Sequence, residues 1–403
     1  MQRPPKSTSE KPQKLWQLIL LLLVACIAFT FFERTQPSIT YSGEPLLDGN
    51  QYIKLYDFFN NSDELTPLKA PFNTRVLVPL LASFMPFDTA EQDFTAVHYL
   101  FVLLSIAALY LLWLRLNISF LAVLLGCGWL IFHWSGFIRL PISDPITIDP
   151  PLFFFQTIFL ILVLGRNKLW LMIPLAIIAT IQKESFVALC AIAACLFAYE
   201  SIKSKKITKG LIFVLGGLVA SLVTLAVLGL YFEPQANSYH NPIVVMGAHT
   251  LHLFREPFQL LRFSMSLFMA FGFLWLVTFF AKPKKDRNQT TLLIFSLLYL
   301  LLGLIGGRDH TRILFNGFPF IMTLILLNLS HLKKVEIGIL IMASIPFMQL
   351  FSVIPNGGAD WGNYAIWFPE YAPKAVIWHW LKYTTIVCVL MVAIWRLRQM
   401  RSN

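Results

Sequence analysis

The chain consists of long apolar runs separated by short polar and basic segments. Two of these runs extend from Leu15 to Phe32 and from Gly210 to Phe232, and polar residues alternate with apolar ones in neither. Such alternation is typical of the strands of membrane barrels, whereas about 20 consecutive apolar residues allow a helix to cross a bilayer. A helix also satisfies its own backbone hydrogen bonds in lipid. The pattern therefore predicts an all-α, polytopic integral membrane protein.

The apolar runs predict a single transmembrane domain of about twelve helices at 15–397, between basic cytoplasmic tails at 1–14 and 398–403. No small-residue cleavage pattern follows the first helix, which ends at Phe32, so we expect an uncleaved anchor with its basic flank in the cytoplasm. The other helices are expected at 94–115, 118–138, 150–165, 169–182, 185–199, 210–232, 263–281, 289–306, 313–331, 335–354 and 381–397. This arrangement places both termini in the cytoplasm.

Composition and charge agree with a membrane protein. Charged residues make up only 13% of the 403 residues, about half their share in an average soluble protein. The net charge of +11 comes largely from short inner loops such as 203–209 and 282–287, so it suits lipid headgroups and requires no nucleic-acid partner. Because the sequence has no P-loop, HExxH, GxSxG or dinucleotide motif, it gives no support for ATP-driven transport, metalloproteolysis or hydride transfer.

Long loops occur only on the predicted outer side of the membrane, at 33–93, 233–262 and 355–380. We therefore expect the chemistry on the outer face. His249 and His252, in the second of these loops, are spaced like helical metal ligands, but no third ligand accompanies them. We expect them to be polar loop residues or contacts to the acceptor, and the sequence supports no metal or other cofactor.

A turn beyond the first helix contains the candidate catalytic base, Asp48. Gly49 follows it, a pairing that is common in turns, and Tyr52 lies one helical turn further on. A carboxylate beside a tyrosine close to the membrane surface could accept a proton from a sugar hydroxyl. The alternative is that Asp48 is only a solvated turn residue.

A second candidate, Arg75, stands where the apolar stretch 76–87 begins. This stretch is too short to cross a bilayer, so we expect an interfacial or re-entrant helix. A guanidinium at its start could bind a phosphate through two hydrogen bonds. The alternative is an arginine that merely extends its charge from the interface into water.

A short outer loop contains the strongest candidate for an anion-binding cluster. Arg308, Asp309, His310 and Arg312 bring two guanidiniums, a carboxylate and an imidazole together within five residues. Charged and titratable groups clustered in this way often mark functional sites. The alternative is a rim of solvated charges without a specific ligand.

Five further charged residues interrupt apolar segments. Arg139 and Asp144 precede a predicted helix, and this pair could bind an acceptor or a metal. Asp149 stands directly before two prolines, a position that favours a helix N-cap. Lys183 and Glu184 separate two apolar segments, and burying their charges would require a partner or a polar cavity. The alternative for these two is an ordinary outer turn.

These features resemble the membrane-embedded glycosyltransferases of the C superfamily. The Asp48-Gly49-x-x-Tyr52 segment is similar to the Asp-Gly-x-x-Tyr pattern of its mannosyltransferase-like branches. The segments that begin at Arg75 and Arg308 look like segments of uncharacterised bacterial relatives. The predicted topology extends the resemblance over most of the chain.

The resemblance implies transfer of a sugar from a polyprenyl-phosphate donor to a glycan, lipid or protein acceptor. Asp48 would be the general base, and Arg75, Arg308 and Arg312 would hold the lipid phosphate. The enzyme would lie in a bacterial inner membrane with its site facing the periplasm. The outer loops contain no strict Asp-x-Asp pair, so the resemblance does not extend to a metal requirement.

Two other functions fit the same sequence. A translocator of lipid-linked sugars or other amphiphiles would use Lys183 and Glu184 to line a path, and it would have pseudo-symmetric halves. A glycan polymerase or ligase would also use outer arginines, but within one long loop. We see no internal repeat, and the candidate arginines are spread over separate loops.

Overall fold

The computed structural model describes residues 10–39, 48–61, 67–235, 247–248, 250–251, 255–280, 286–306, 309–355 and 373–399. These residues form an all-helical fold, and the only extended pairing among them is an isolated bridge between Leu68 and Pro234. The α-helices are α1 (Glu10–Thr35), α2 (Gly49–Asn61), α3 (Leu77–Ala82), α4 (Ala90–Arg115), α5 (Phe120–Phe132), α6 (Arg139–Ser143), α7 (Pro150–Gly165), α8 (Met172–Gln182), α9 (Phe186–Ser204), α10 (Lys209–Tyr231), α11 (Pro257–Phe271), α12 (Val277–Phe280), α13 (Arg287–Ile305), α14 (His310–Asn316), α15 (Phe318–Leu329), α16 (Lys334–Ser344) and α17 (Pro373–Gln399). Short 3-10 helices lie at Phe72–Thr74, Leu169–Leu171, Leu274–Leu276 and Ile345–Met348.

Six helices in the described part of the chain are long and apolar enough to cross a membrane, namely α1, α4, α9, α10, α13 and α17. The consecutive helices α14 and α15, which meet at an angle of 66°, would form a seventh span if they are counted as one. Other apolar helices, including α5 and α7, have only 10 to 17 residues. The described part of the chain is therefore helical, and it contains several candidate spans but fewer full-length ones than the twelve predicted.

Two glycines account for departures from the predicted helices. The prediction of one helix over 263–281 is wrong, because Gly272 ends α11 with a φ of +56°. A Cβ at this glycine would lie 2.6 Å from the Cβ of Ser344, so the close contact requires glycine. The helix predicted over 313–331 is bent at Gly317, which separates α14 from α15.

The core consists largely of aromatic and branched side chains between packed helices. α4 packs along α7, and α8 and α9 pack against α10. The indole Nε1 of Trp113 on α4 donates to Thr323 Oγ1 on α15 at 2.8 Å, which ties distant parts of the chain together. Only 17% of the α10 span and 11% of the α17 span is buried within the protein, so their apolar side chains are available to lipid.

α7 and α9 separate two groups of charged side chains. Asp149 directly precedes α7 and Arg166 directly follows it, and the 16 residues between them give the helix a length of about 24 Å. Glu184 lies just before α9, and Glu200 lies near the end of that helix. Asp149 contacts Lys183 where the two helices begin, and Arg166 contacts Glu200 where they end. Each end of the α7 and α9 pair therefore has its own group of charges.

Candidate functional site

Five charged side chains meet where α7 begins, and we call them the Asp149 cluster. They are Arg75, Asp149, Lys183, Glu184 and Arg312. They come from the start of α3, the start of α7, the junction between α8 and α9, and α14. Their side chains are between 5% and 23% exposed, so the cluster lies below the protein surface but remains accessible.

Asp149 joins two of the cations. Its Oδ1 accepts a hydrogen bond from Lys183 Nζ at 2.7 Å, and its Oδ2 accepts one from Arg312 Nε at 2.5 Å. Arg312 Nη2 also donates to Thr147 Oγ1 at 2.7 Å. Burial alone would raise the pKa of the Asp149 carboxyl, but the two cations hold this pKa well below its usual range. The carboxylate is therefore ionised.

Arg75 and Glu184 form a bidentate ion pair beside Asp149. Arg75 Nε and Nη2 donate to the two carboxylate oxygens of Glu184 at 2.8 and 2.6 Å. Arg75 Nη1 donates to the Tyr52 hydroxyl at 3.2 Å, and the guanidinium lies 5.3 Å from the Phe72 ring centroid. Burial would raise the pKa of Glu184, but Arg75 lowers it below its ordinary value.

Buried polar contacts fix the segment that presents Asp149. Gln182 Nε2 donates to the carbonyl of Ile148 at 2.7 Å, and His98 Nε2 lies 2.9 Å from the carbonyl oxygen of Thr147. Gln182 lies at the end of α8, which follows the segment in the chain, and His98 lies on α4, which precedes it. Because side chains in helices hold this backbone, the carboxylate of Asp149 has a fixed position.

The Asp149 cluster has one more cation than anions. Three positive side chains, Arg75, Lys183 and Arg312, face two ionised carboxylates, Asp149 and Glu184. Within the described residues, the Lys183 ammonium makes one hydrogen bond and Arg312 Nη1 makes none. An ammonium carries three N–H donors and a guanidinium five, so both groups have donors left for an anionic ligand.

Three more carboxylates lie within electrostatic range of the cluster. Asp48 precedes α2, is exposed, and makes no side-chain hydrogen bond or ion pair within the described residues, although its charge acts on Tyr52 and Arg312. Asp309 caps α14 by accepting from the Arg312 amide at 3.2 Å, and burial raises its pKa. Asp144 also acts electrostatically on Arg312. Asp48 is thus a water-accessible carboxylate beside a cationic group.

Arg139 does not belong to the cluster, contrary to the prediction that it forms a binding site with Asp144. Its side chain is buried, and its guanidinium donates to the backbone carbonyls of Phe132, Met348, Gln349 and Ser352 at 2.5–3.3 Å. Carbonyl oxygens that are buried in this way need donors, and Arg139 supplies them. The residue therefore joins segments of the fold and is not free to bind a phosphate.

The predicted anion-binding loop is only partly represented in the cluster. Arg312 and Asp309 contribute as described above, whereas His310 is buried and its Nδ1 lies 2.6 Å from the Gly303 carbonyl oxygen. Arg308 lies outside the described residues, as do His249 and His252.

The structure also revises the role expected for Asp149. It occupies the N-cap position of α7, but its side chain makes no capping hydrogen bond and instead pairs with two cations. Lys183 and Glu184 each have an oppositely charged partner, as expected. Lys183 pairs with Asp149, and Glu184 pairs with Arg75. Neither Thr147 nor His98 was singled out in the sequence. A lysine at a break between apolar helices was the available signal that a buried carboxylate must lie nearby.

Within the described residues, no group of three or more His, Cys, Asp or Glu side chains could hold a metal ion. No known family model matches the chain, and no curated protein or solved structure matches it.

Proposed function

We propose that this protein is a membrane-embedded glycosyltransferase that moves a sugar from a polyprenyl-phosphate donor to a glycan, lipid or protein acceptor. The observation that carries the proposal is the set of unused N–H donors on Lys183 and Arg312, close to the exposed Asp48. Fixed cations with unused donors suit a phosphate group, and a water-accessible carboxylate suits a general base.

The proposal includes an orientation. The Asp149 cluster would face the outer side of a bacterial inner membrane, towards the periplasm, and both termini would lie in the cytoplasm. The basic loops at 203–209 and 282–287 support this orientation, because lysine and arginine are enriched in cytoplasmic loops. Twelve crossings would require the shorter apolar helices such as α5 and α7 to span a thinned or locally polar part of the bilayer.

In the proposed reaction, Asp48 accepts the proton of the acceptor hydroxyl while the hydroxyl oxygen forms a bond to the anomeric carbon of the donor sugar. The bond between that carbon and the phosphate oxygen breaks, so the polyprenyl phosphate leaves with an additional negative charge. Lys183 and Arg312 would stabilise this charge more strongly in the transition state than in the bound donor. Arg75 would hold the shape of the site through its ion pair with Glu184.

The experiment that tests this proposal compares the wild type with Asp48→Asn after reconstitution in lipid. Sugar transfer is measured with a panel of radiolabelled polyprenyl-phosphate hexoses and a membrane extract as acceptor. Loss of a general base should lower turnover at least about 100-fold. Asp57→Asn is the matched control, because Asp57 is also exposed and lies on α2, nine residues after Asp48.

Three outcomes are informative. Turnover that falls in Asp48→Asn but not in Asp57→Asn would support the proposal. Turnover that is equal in all three proteins would contradict the role of Asp48 while leaving the transferase function in place. Donor that crosses the bilayer of proteoliposomes without any sugar transfer would contradict the function itself and favour a translocator.

A further inference from the structure

A second charge group lies at the other end of α7 and α9, and we call it the Glu200 cluster. It consists of Arg166, Glu200 and Arg287. Arg166 Nη2 donates to Glu200 Oε2, and Arg287 Nε lies 3.2 Å from Glu200 Oε1. Arg287 Nη2 also donates to the carbonyl of Val163 in the last turn of α7 at 3.3 Å. Three helices, α7, α9 and α13, thus bring their ends together around one carboxylate.

Counted with its neighbours, the Glu200 cluster has three guanidiniums and two carboxylates. Two guanidiniums share Glu200, and the like charge of Arg166 acts on Arg287. Asp286, at the N-cap of α13, adds one further carboxylate within electrostatic range of Arg287. A third guanidinium lies near the end of α7. Arg115 Nη1 is 3.9 Å from the position that a Cβ atom on Gly165 would occupy.

These guanidiniums can reach a ligand. The side chains of Arg166 and Arg287 are 32% and 41% exposed, and Arg115 is exposed. Arg166 Nε is buried, so a ligand would meet the outer Nη atoms of this guanidinium. Exposed guanidinium donors favour an anionic group with several acceptor oxygens, and a phosphodiester has this chemistry.

An exposed tryptophan lies four residues after Arg166 in the chain and indicates the source of the anion. Trp170 is 55% exposed and follows Arg166 and the exposed Lys168 in the short connection to α8. Tryptophan is enriched at the level of the lipid headgroups, and basic residues between transmembrane helices bind anionic headgroups there. The arrangement therefore matches a ligand that joins a phosphodiester to an apolar body.

We propose that the Glu200 cluster binds the headgroup of an anionic glycerophospholipid. The phosphodiester accepts hydrogen bonds from Arg166 and Arg287, and Arg115 adds positive charge beside them. The lipid backbone lies against Trp170. This inference does not depend on the proposed transferase function, because it concerns the opposite end of α7.

Native mass spectrometry of the detergent-solubilised full chain tests the proposal by counting bound lipids during titration with phosphatidylglycerol. We expect one phosphatidylglycerol to bind more tightly than phosphatidylcholine. Arg287→Gln should weaken this binding about tenfold, the effect of losing one charge-assisted hydrogen bond. The matched control is Lys54→Gln, which removes an exposed positive charge from α2, the helix that begins beside the Asp149 cluster at the other end of α7, and should leave the affinity unchanged.

A second variant, Arg166→Lys, retains the charge but loses the planar set of donors. A normally folded Arg166→Lys protein should therefore still bind phosphatidylglycerol more weakly than the wild type. Equal binding of phosphatidylglycerol and phosphatidylcholine would overturn the proposal. So would an equal loss in Lys54→Gln, because the effect would then be one of net charge. Displacement of the lipid by millimolar inorganic phosphate would also overturn it and would assign the cluster to a free phosphate.

Discussion

The Asp149 cluster and the Glu200 cluster have a similar composition but differ in burial. Each places a carboxylate between two cations, and α7 and α9 connect them over about 24 Å. The Asp149 side chain is 5% exposed, whereas Glu200 is 32% exposed. The same arrangement of charges therefore occurs once inside the protein and once near its surface.

The difference in burial changes what each carboxylate contributes. A buried ion pair is expensive to break, because the partner left behind is a charge without water or counterion. An exposed pair is screened by solvent and contributes little. Asp149 should consequently be needed for both folding and the position of Lys183 and Arg312. Glu200 should be dispensable for folding.

The largest expected effect follows from removing the buried carboxylate. Asp149→Asn leaves Lys183 and Arg312 without their shared counterion, so we expect the free energy of unfolding to fall by about 3–5 kcal/mol. Unfolding with SDS in mixed micelles measures this change. The proposed sugar transfer should be lost as well, because both cations would move.

A second variant separates charge from packing at this position. In Asp149→Asn/Lys183→Met, the amide oxygen at 149 still accepts from Arg312, and the unpaired ammonium is gone. We expect the double variant to recover most of the stability that Asp149→Asn loses. A double variant as unstable as the single one would show that the cluster's charges are not the reason for the loss.

Low pH should also reduce the free energy of unfolding, but by less than Asp149→Asn does. The pKa values of Asp149 and Glu184 are held low by their cationic partners, although burial opposes this. Both groups bind protons less readily in the folded chain than in the unfolded chain. Their stabilisation is therefore complete above the unfolded carboxyl pKa of about 4 and is lost as the pH falls through the lower folded values.

The measurement is the free energy of unfolding between pH 7 and pH 3 for the wild type and for Asp149→Asn. We expect the wild type to lose stability more steeply below about pH 4, because the variant lacks one of the two carboxylates that must be protonated. Parallel curves would show that Asp149 does not contribute to acid sensitivity, which would contradict its role as an ionised partner of two cations.

The helical character of the fold was accessible from the sequence because apolar length determines where a helix can form in lipid. α7 begins and ends where the apolar run 150–165 does. The sequence did not disclose the breaks at Gly272 and Gly317, since each depends on a close contact with another helix. Helix length also remained overestimated where a polar or glycine residue ended the helix early, as at His133 after α5.

The site was accessible only in part, because its ion pairs join residues far apart in the chain. Lys183 and Glu184 were conspicuous as charges within an apolar region, but their partners lie 34 and 109 residues away. Asp149 before two prolines fitted a capping role, and Arg139 fitted a binding role. In the structure the two residues have other contacts. Arg139 is surrounded by carbonyl oxygens, and Asp149 is paired with two cations.

The smallest expected effect is that of Glu200→Gln, which completes the comparison. Solvent screens this partly exposed carboxylate, so the free energy of unfolding should change by no more than about 1 kcal/mol, and less at high salt. The proposed sugar transfer should be unchanged. Removing the carboxylate that Arg166 and Arg287 share should also tighten phosphatidylglycerol binding. A loss of stability as large as that of Asp149→Asn would mean that burial does not distinguish the two clusters.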